Sequence, residues 1–132
     1  MEKYSLSWVI GMGDQAHGGH NNFPDWRDIE YYLDKIKKKG GSLTLSIVDG
    51  SDIGPQLLQV LSDNGRYILS LGVDDGLDYV MRSYYNPALK GTEYEILGNL
   101  WSGELVCLDL AIVKEAFSAF FLTGDVSLKL LS

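Results

Sequence analysis

The segment from residue 109 to residue 124 restricts the fold of this chain most strongly. Apolar side chains recur there at three- and four-residue intervals from Val113 to Phe121, as on one face of a helix. Asp109 stands where an N-cap is expected, and Gly124 stands where a left-handed residue ends a helix. Such a helix buries its aromatic face, so the chain must provide a layer on which it packs.

Strand patterns lie on both sides of this helix and at the start of the chain. Residues 4–10 alternate in the period of a half-buried strand, and residues 43–47 do the same. Cys107 lies in a short apolar run that predicts a buried strand before the helix. The alternating residues 126–130 predict a last strand after it.

A second amphipathic helix is predicted early in the chain. Asp25 provides an N-cap with Asp28 three residues on, and the apolar stripe that follows consists of Trp26, Ile29, Leu33 and Ile36. Lysines crowd residues 35–39, where cations suit the helix dipole, and Gly40 stops the helix. The lysine run is therefore read as a helix end and not as a nucleic-acid patch.

The middle of the chain predicts a meander of antiparallel strands. A two-residue turn at residues 64–65 places Leu58 opposite Leu71 on an apolar face and leaves Asp63 and Arg66 as a charge pair at the tip. A three-residue loop at residues 74–76 would place Leu71 opposite Tyr79. Residues 84–103 show only a weak alternation around Glu93 and Glu95, and Trp101 is expected near the surface.

This order of elements predicts an α+β fold for residues 1–132: a single domain, mostly an antiparallel sheet, with two main helices packed on one face. The other face or the loops would then be free for a partner. The length and the 45% hydrophobic content suit one domain with a real core.

Charge and cysteine content restrict the partners and the compartment. The net charge is −7, from 18 acidic and 11 basic side chains, which disfavours nucleic acid or an anionic membrane as a partner and favours a cationic protein. Solubility alone also explains a mildly acidic chain. A single cysteine forms no internal disulfide, and neither a signal peptide nor a membrane span is recognised, so we expect a cytoplasmic protein.

Residues 11–24 read as an irregular, glycine-rich surface connection. The start of this segment formally matches a dinucleotide fingerprint, but no helix begins there to present its amides to a phosphate. His17 and His20, with Asp14 or Asp25, are weak candidates for a divalent metal site. Solvated histidines in a loop are the simpler interpretation.

Other catalytic patterns are weak. The Cys107 thiol lies in an apolar run that lacks the electropositive surroundings of a reactive cysteine. Ser51 lacks the glycine pattern of a nucleophile elbow. Carboxylates can act as paired acids and bases, but they also suit a surface that binds a cationic protein beside aromatic anchors. The candidate binding residues are Asp74, Asp75, Asp78, Tyr84, Tyr85, Glu93, Glu95 and Trp101.

The order of a buried strand, an aromatic helix, Phe120-Phe121-Leu122-Thr123-Gly124 and a short tail resembles the end of the type-one immunity proteins of bacterial polymorphic toxin systems. The likeness extends to the segment from Trp26 to the turn at residues 64–65. The resemblance implies no catalytic residue and no cofactor, because such proteins act by binding a toxin.

The resemblance and the charge together predict an immunity protein that occludes the active site of a cognate cationic toxin domain, such as one delivered by contact-dependent growth inhibition. A nuclease or a nucleic-acid deaminase is the expected toxin, because each needs a basic cleft for its polyanionic substrate. A monomer or a weak homodimer is expected. The alternatives are a small metal-dependent or carboxylate enzyme that uses His17 and His20, and a subunit that assembles through an exposed sheet edge.

Overall fold

Two helices pack on one face of a seven-stranded antiparallel sheet in the computed structural model, which describes residues 3–132. The sheet order is β2-β1-β3-β4-β5-β6, with β9 paired to β5, while β7 and β8 form a separate hairpin. The strands are β1 (Tyr4–Ile10), β2 (His17–Asn21), β3 (Gly41–Ile47), β4 (Gly54–Asp63), β5 (Arg66–Asp74), β6 (Tyr79–Ser83), β7 (Glu93–Ile96), β8 (Asn99–Ser102) and β9 (Val106–Cys107), and the helices are α1 (Trp26–Lys39) and α2 (Leu110–Thr123). The predicted α+β class is confirmed.

The strand register collects the apolar residues into rows across the sheet. Leu6, Leu45, Leu58 and Leu71 are successive partners across β1, β3, β4 and β5, and all of them are fully buried. Because every second residue of a strand points to the same side, one side of the sheet is apolar. Both helices cover that side, which we call the helix face.

The opposite side of the sheet carries no helix from residues 3–132, and we call it the open face. Its central row consists of small or polar residues that are partners across the same four strands, namely Ser7, Thr44, Gln59 and Ser70. Gln59 donates a hydrogen bond to Thr44 Oγ1 at 3.2 Å. The polar residues of the alternating pattern therefore form a second surface of the sheet, as the sequence predicts.

Both helices begin and end as their sequences predict. Asp25 and Asp28 form a reciprocal capping box at the start of α1, and Gly40 follows its last residue. Asp109 accepts a hydrogen bond from the Ala111 amide at the start of α2, and Gly124 is left-handed with φ of 76°. These caps satisfy backbone groups that the helices leave free at their ends.

The glycine-rich segment is not the irregular connection that the sequence predicts. A short 3-10 turn at Gly13–Gln15 is followed by β2, which pairs with β1 at the sheet edge. Gly19 lies against the indole of Trp8, and a Cβ there would stand 2.7 Å from the ring. The prediction of an irregular connection is wrong because glycines have no side chains that could show strand alternation. Gly19 is nevertheless required in β2, since the Trp8 ring leaves no room for a Cβ at this position.

The prediction for the first turn of the meander is confirmed, and the prediction for the second turn is wrong. Asn64 and Gly65 have positive φ and place Leu58 opposite Leu71, as predicted. The second loop is longer than three residues, because β6 starts at Tyr79, so that Leu71 lies opposite Arg82. Backbone amides of the loop donate hydrogen bonds to the carboxylates of Asp74 and Asp75 and stabilise this longer connection, and hydrophobic alternation does not report such bonds.

The predicted last strand is also wrong. After α2 the Ser127 carbonyl accepts hydrogen bonds from the amides of Leu130 and Leu131, which makes a turn. Leu128 points to solvent, whereas Leu131 is fully buried. The alternation of residues 126–130 was therefore a coincidence of composition within a turn.

Candidate partner-binding surface

Among the residues that the structure describes, the β7–β8 hairpin covers one end of the open face. There the β7–β8 hairpin packs on the sheet through a small apolar cluster that contains Ile68, Ile96 and Val106. The central row through Gln59 has no helix over it and stays partly exposed. The remaining open face is thus a shallow polar floor between this hairpin and the loop that joins β5 to β6.

The acidic loop, residues 74–78, lies at the other end. The Asp74 carboxylate accepts a hydrogen bond from the Gly76 amide at 2.9 Å, and Asp75 accepts from the amides of Leu77 and Asp78 at 2.9 and 2.7 Å. The hydrogen bonds from Asp78 and Leu77 lower the pKa of the Asp75 carboxyl. Two of the three predicted binding carboxylates of this loop therefore also hold the loop in shape.

Large apolar side chains are exposed beside these carboxylates. Leu77 is 93% exposed, Tyr79 is 53% exposed and Met81 is 50% exposed. Met81 is the partner of Gly72 on the open face, and the Tyr79 ring lies across the same glycine, where it would meet any added Cβ. Because β6 is an edge strand, this apolar group stands at the margin of the sheet.

The hairpin carries the second predicted group. Glu93 and Glu95 are exposed on β7, while Trp101 on β8 is only partly exposed and packs into the small apolar cluster. The Trp101 indole N–H is buried and has no hydrogen-bond acceptor among residues 3–132. Trp101 therefore lies only partly at the surface, and its ring packs the hairpin against the sheet.

The two predicted tyrosines have different environments. Tyr84 packs against the main core, and burial, followed by the nearby Cys107 and Asp109, raises the pKa of its hydroxyl. Tyr85 is about half exposed. Only Tyr85 of this pair stands free to anchor a partner.

The structure does not bring all the predicted binding residues into one cluster. The acidic loop follows Asp74 at one end of β5, whereas the hairpin packs near Arg66 at the other end. The strand between these ends spans about 26 Å at about 3.3 Å per residue. An interface of ordinary size, about 800 Å² per partner, is wide enough to include both ends.

The two histidines do not face each other. His17 is the partner of Ile10 and His20 is the partner of Ser7, so they lie three residues apart on one strand. Side chains at that spacing point to opposite faces of a sheet. Within residues 3–132, no group of three or more His, Cys, Asp or Glu side chains is arranged to hold a metal ion.

Cys107 has the environment that the sequence predicts. It is fully buried in β9, and its Sγ lies 3.3 Å from the carbonyl oxygen of Asp109. Burial raises the pKa of the thiol, so the reactive thiolate is disfavoured. This cysteine is part of the core.

Asp63 is the residue whose position the sequence does not reveal. Arg66 lies opposite Asp63 in the strand register, as predicted. The predicted charge pair is nevertheless wrong, because Arg66 forms no ion pair with Asp63. The Arg66 guanidinium lies over the Tyr94 ring instead, 4.8 Å from the ring centroid. Asp63 is instead 91% buried, with a 9% exposed fraction, and Oδ2 accepts a hydrogen bond from the Leu97 amide at 2.9 Å. The only sequence feature of Asp63 is its position beside a tight turn, and an aspartate in such a position is usually exposed to solvent.

The architecture defines a class: a small α+β domain with one helical layer, one open sheet face and an acidic edge. Within that class, the chain belongs to a family of unknown function, DUF6911, which it matches over residues 7–130. No curated protein matches it.

A hypothetical protein from Neisseria gonorrhoeae, solved by crystallography, is similar in fold. The two chains share 17% sequence identity with a TM-score of 0.76, over 95% of this chain and 91% of that one. At this identity the likeness concerns the fold alone.

None of the helices in residues 3–132 combines the length and the apolar character that crossing a membrane requires.

Proposed function

We propose that this protein is an immunity protein that binds and neutralises a cognate bacterial toxin domain through the open face of its sheet. The observation that carries this proposal is the combination of an acidic loop with exposed Leu77, Tyr79 and Met81 at the margin of a face without helices. Exposed apolar side chains bordered by polar groups are typical of protein interfaces.

The charge of the chain supports a cationic partner. The net charge is −7, and the exposed carboxylates of the loop and the hairpin stand at the two ends of the open face. Complementary charge speeds encounter and orients the partner, while buried aromatic and aliphatic side chains hold it. This division of roles fits Asp78 and Leu77, which are neighbours in the same loop.

A nuclease or nucleic-acid deaminase toxin is the partner that this chemistry favours. Enzymes of either kind bind polyanionic RNA or DNA with Lys and Arg side chains in a basic cleft. An acidic surface placed over that cleft excludes the substrate and needs no chemistry of its own. The resemblance of the aromatic α2 and its Thr123-Gly124 end to type-one immunity proteins adds to this proposal.

The alternative, an enzyme that uses His17 and His20, has less support. Two imidazoles on opposite faces of β2 do not converge on one metal ion or one substrate atom. The loop carboxylates Asp74 and Asp75 hold backbone amides of their own loop.

Co-expression tests the proposal directly. The chain is produced with the C-terminal domain of a large secreted protein whose gene lies immediately upstream, and both complex formation and rescue of growth are scored. A stable complex with rescue is the expected result. Continued toxicity without a complex would overturn the proposal.

Matched variants then locate the binding face. Leu77→Ala is compared with Leu128→Ala, because both leucines are highly exposed and only Leu77 borders the open face. Asp78→Asn is compared with Glu115→Gln, a removal of one exposed charge from α2. Loss of rescue in the first member of each pair, with rescue kept in the second, is expected.

A further inference from the structure

Between the turn of the β7–β8 hairpin and residues 11–16, the open face contains a cleft of about 590 Å³. Its walls are largely apolar and include Val9, Met12, Leu61 and Leu97, while Asp63 and Glu95 bring two carboxylates to it. No Lys or Arg is among the residues that line it. The volume lies within the range of small-molecule sites, which combine apolar walls with a few placed polar groups.

Asp63 is the unusual group of this cleft. Its Oδ2 is occupied by the Leu97 amide, but Oδ1 is buried and receives no hydrogen bond from any residue between 3 and 132. A buried carboxylate oxygen without a donor is costly to a folded protein. Arg66, the β5 partner of Asp63, lies over the Tyr94 ring instead.

We propose that this cleft binds a guanidinium group that is attached to an aliphatic stem. The cation would donate to Asp63 Oδ1 once the turn at Leu97 moves away from this buried oxygen, a second N–H would be directed at Glu95, and the stem would lie against Leu61 and Leu97. This inference does not depend on the proposed function.

Guanidinium suits the site better than ammonium for two reasons. Its planar fork presents several donors in fixed directions, so one group can serve two carboxylates at once. It is also more weakly hydrated than an ammonium group, so less solvation is lost beside a buried oxygen. The aliphatic stem accounts for the apolar walls, which a bare cation would not need.

Leu97 links the cleft to the hairpin turn. It has a positive φ of 52°, uncommon for a large side chain, and its amide holds Asp63 Oδ2. The amide signal of Leu97 therefore reports any change at the Asp63 carboxylate. Gly98, which also lines the cleft, provides a second signal.

The test is a titration of the labelled protein with n-butylguanidinium, followed by the amide resonances of Leu97 and Gly98. Saturable shifts are expected, whereas n-butylurea, the uncharged analogue, should give none. Asp63→Asn keeps an oxygen for the Leu97 amide and should weaken binding by about tenfold, as expected for loss of a charge-assisted hydrogen bond. Absence of saturable shifts, or equal binding of the urea, would overturn the proposal.

Two variants on β7 test the proposal independently, in case the Asp63→Asn variant does not fold. Glu95→Gln removes an exposed carboxylate of the cleft and should weaken binding, while Glu93→Gln removes an exposed carboxylate of the same strand outside the cleft and should not. Equal effects of these two variants would show general charge attraction and overturn the assignment.

The same titration separates two sources of the guanidinium. Nα-acetylarginine amide represents the side chain of a protein partner, and n-butylguanidinium represents a free small molecule. Tighter binding of the first would support an arginine of a partner as the occupant, and tighter binding of the second would support a small-molecule ligand.

Discussion

Arg82 donates two hydrogen bonds to the carbonyl oxygen of Leu131, from Nε at 3.0 Å and from Nη2 at 2.8 Å. Nη2 also reaches the carbonyl of Val126 at 2.6 Å, and Nη1 lies 3.3 Å from a carboxylate oxygen of Asp125. One side chain on the edge strand β6 therefore fastens the segment that follows α2. The guanidinium provides the donors that a strand partner would otherwise give to these carbonyls.

Replacement of Arg82 by Ala should lower the free energy of unfolding by about 2–3 kcal/mol, because part-buried carbonyl oxygens lose charged donors. Arg82→Lys should recover only part of the loss, since an ammonium lacks the planar fork. Urea denaturation measures both. Arg27→Ala, at an exposed position on α1, is the control and should change stability by less than about 0.5 kcal/mol. Equal effects at the two arginines would contradict this role for Arg82.

Gly41 joins α1 to β3 under two constraints. Its φ is 127°, and a Cβ there would collide with the Val9 carbonyl of the neighbouring strand. Gly54 has a φ of 105° but open space around its Cα. Gly54→Ala should therefore cost about 1–3 kcal/mol for the backbone strain alone, and Gly41→Ala should cost clearly more. The midpoints of thermal unfolding of the two variants measure this difference. Equal midpoints would contradict the prediction, because they would mean that the contact with Val9 is relieved without cost.

The elements that can be predicted from the sequence are those whose own side chains show a periodic pattern or a capping or turn signal. The stripe of α1, the Asp109 cap and the Asn64-Gly65 turn each combine a periodic or local signal with a strict stereochemical requirement, and all three are confirmed. In β2 the glycines have no side chain to record burial, and the constraint comes from Trp8 on the next strand. That contact cannot be read from β2 itself.

The candidate surface is less predictable than the fold. The sequence places the exposed Tyr79 on an apolar strand face, because hydrophobic alternation does not distinguish a buried face from an open one. Asp63 was read as the tip of a hairpin, since the β7–β8 hairpin that buries it lies some 34 residues further along the chain. Residues brought together by such distant packing leave no local pattern.

The pKa of the Asp75 carboxyl should lie below its ordinary value, because the amides of Asp78 and Leu77 stabilise the charged form. A carboxyl whose pKa is lower in the folded state stabilises the fold above the unfolded pKa of about 3.9, and this contribution is lost as the pH falls through the folded pKa. Carbon-detected NMR titration of the side chain measures the value. Asp75→Asn should abolish this loss of stability at low pH, and it should speed amide hydrogen exchange at Leu77 and Asp78. A midpoint at or above the unperturbed value of about 3.9 in the native chain would contradict the observed loop geometry.

Association with the proposed toxin domain should depend on salt in a way that separates charged contacts from apolar contacts on the open face. Raising the salt from about 50 mM to about 200 mM should slow association severalfold, because exposed charges are screened over about 10 Å, while dissociation should change little. Asp78→Asn should slow association and reduce its salt dependence, whereas Leu77→Ala should mainly speed dissociation. Stopped-flow mixing measures the first rate and surface plasmon resonance the second. An association rate that is unaffected by salt would mean that apolar contacts at Leu77, Tyr79 and Met81 carry recognition, and that the acidic loop serves only to shape the edge of the sheet.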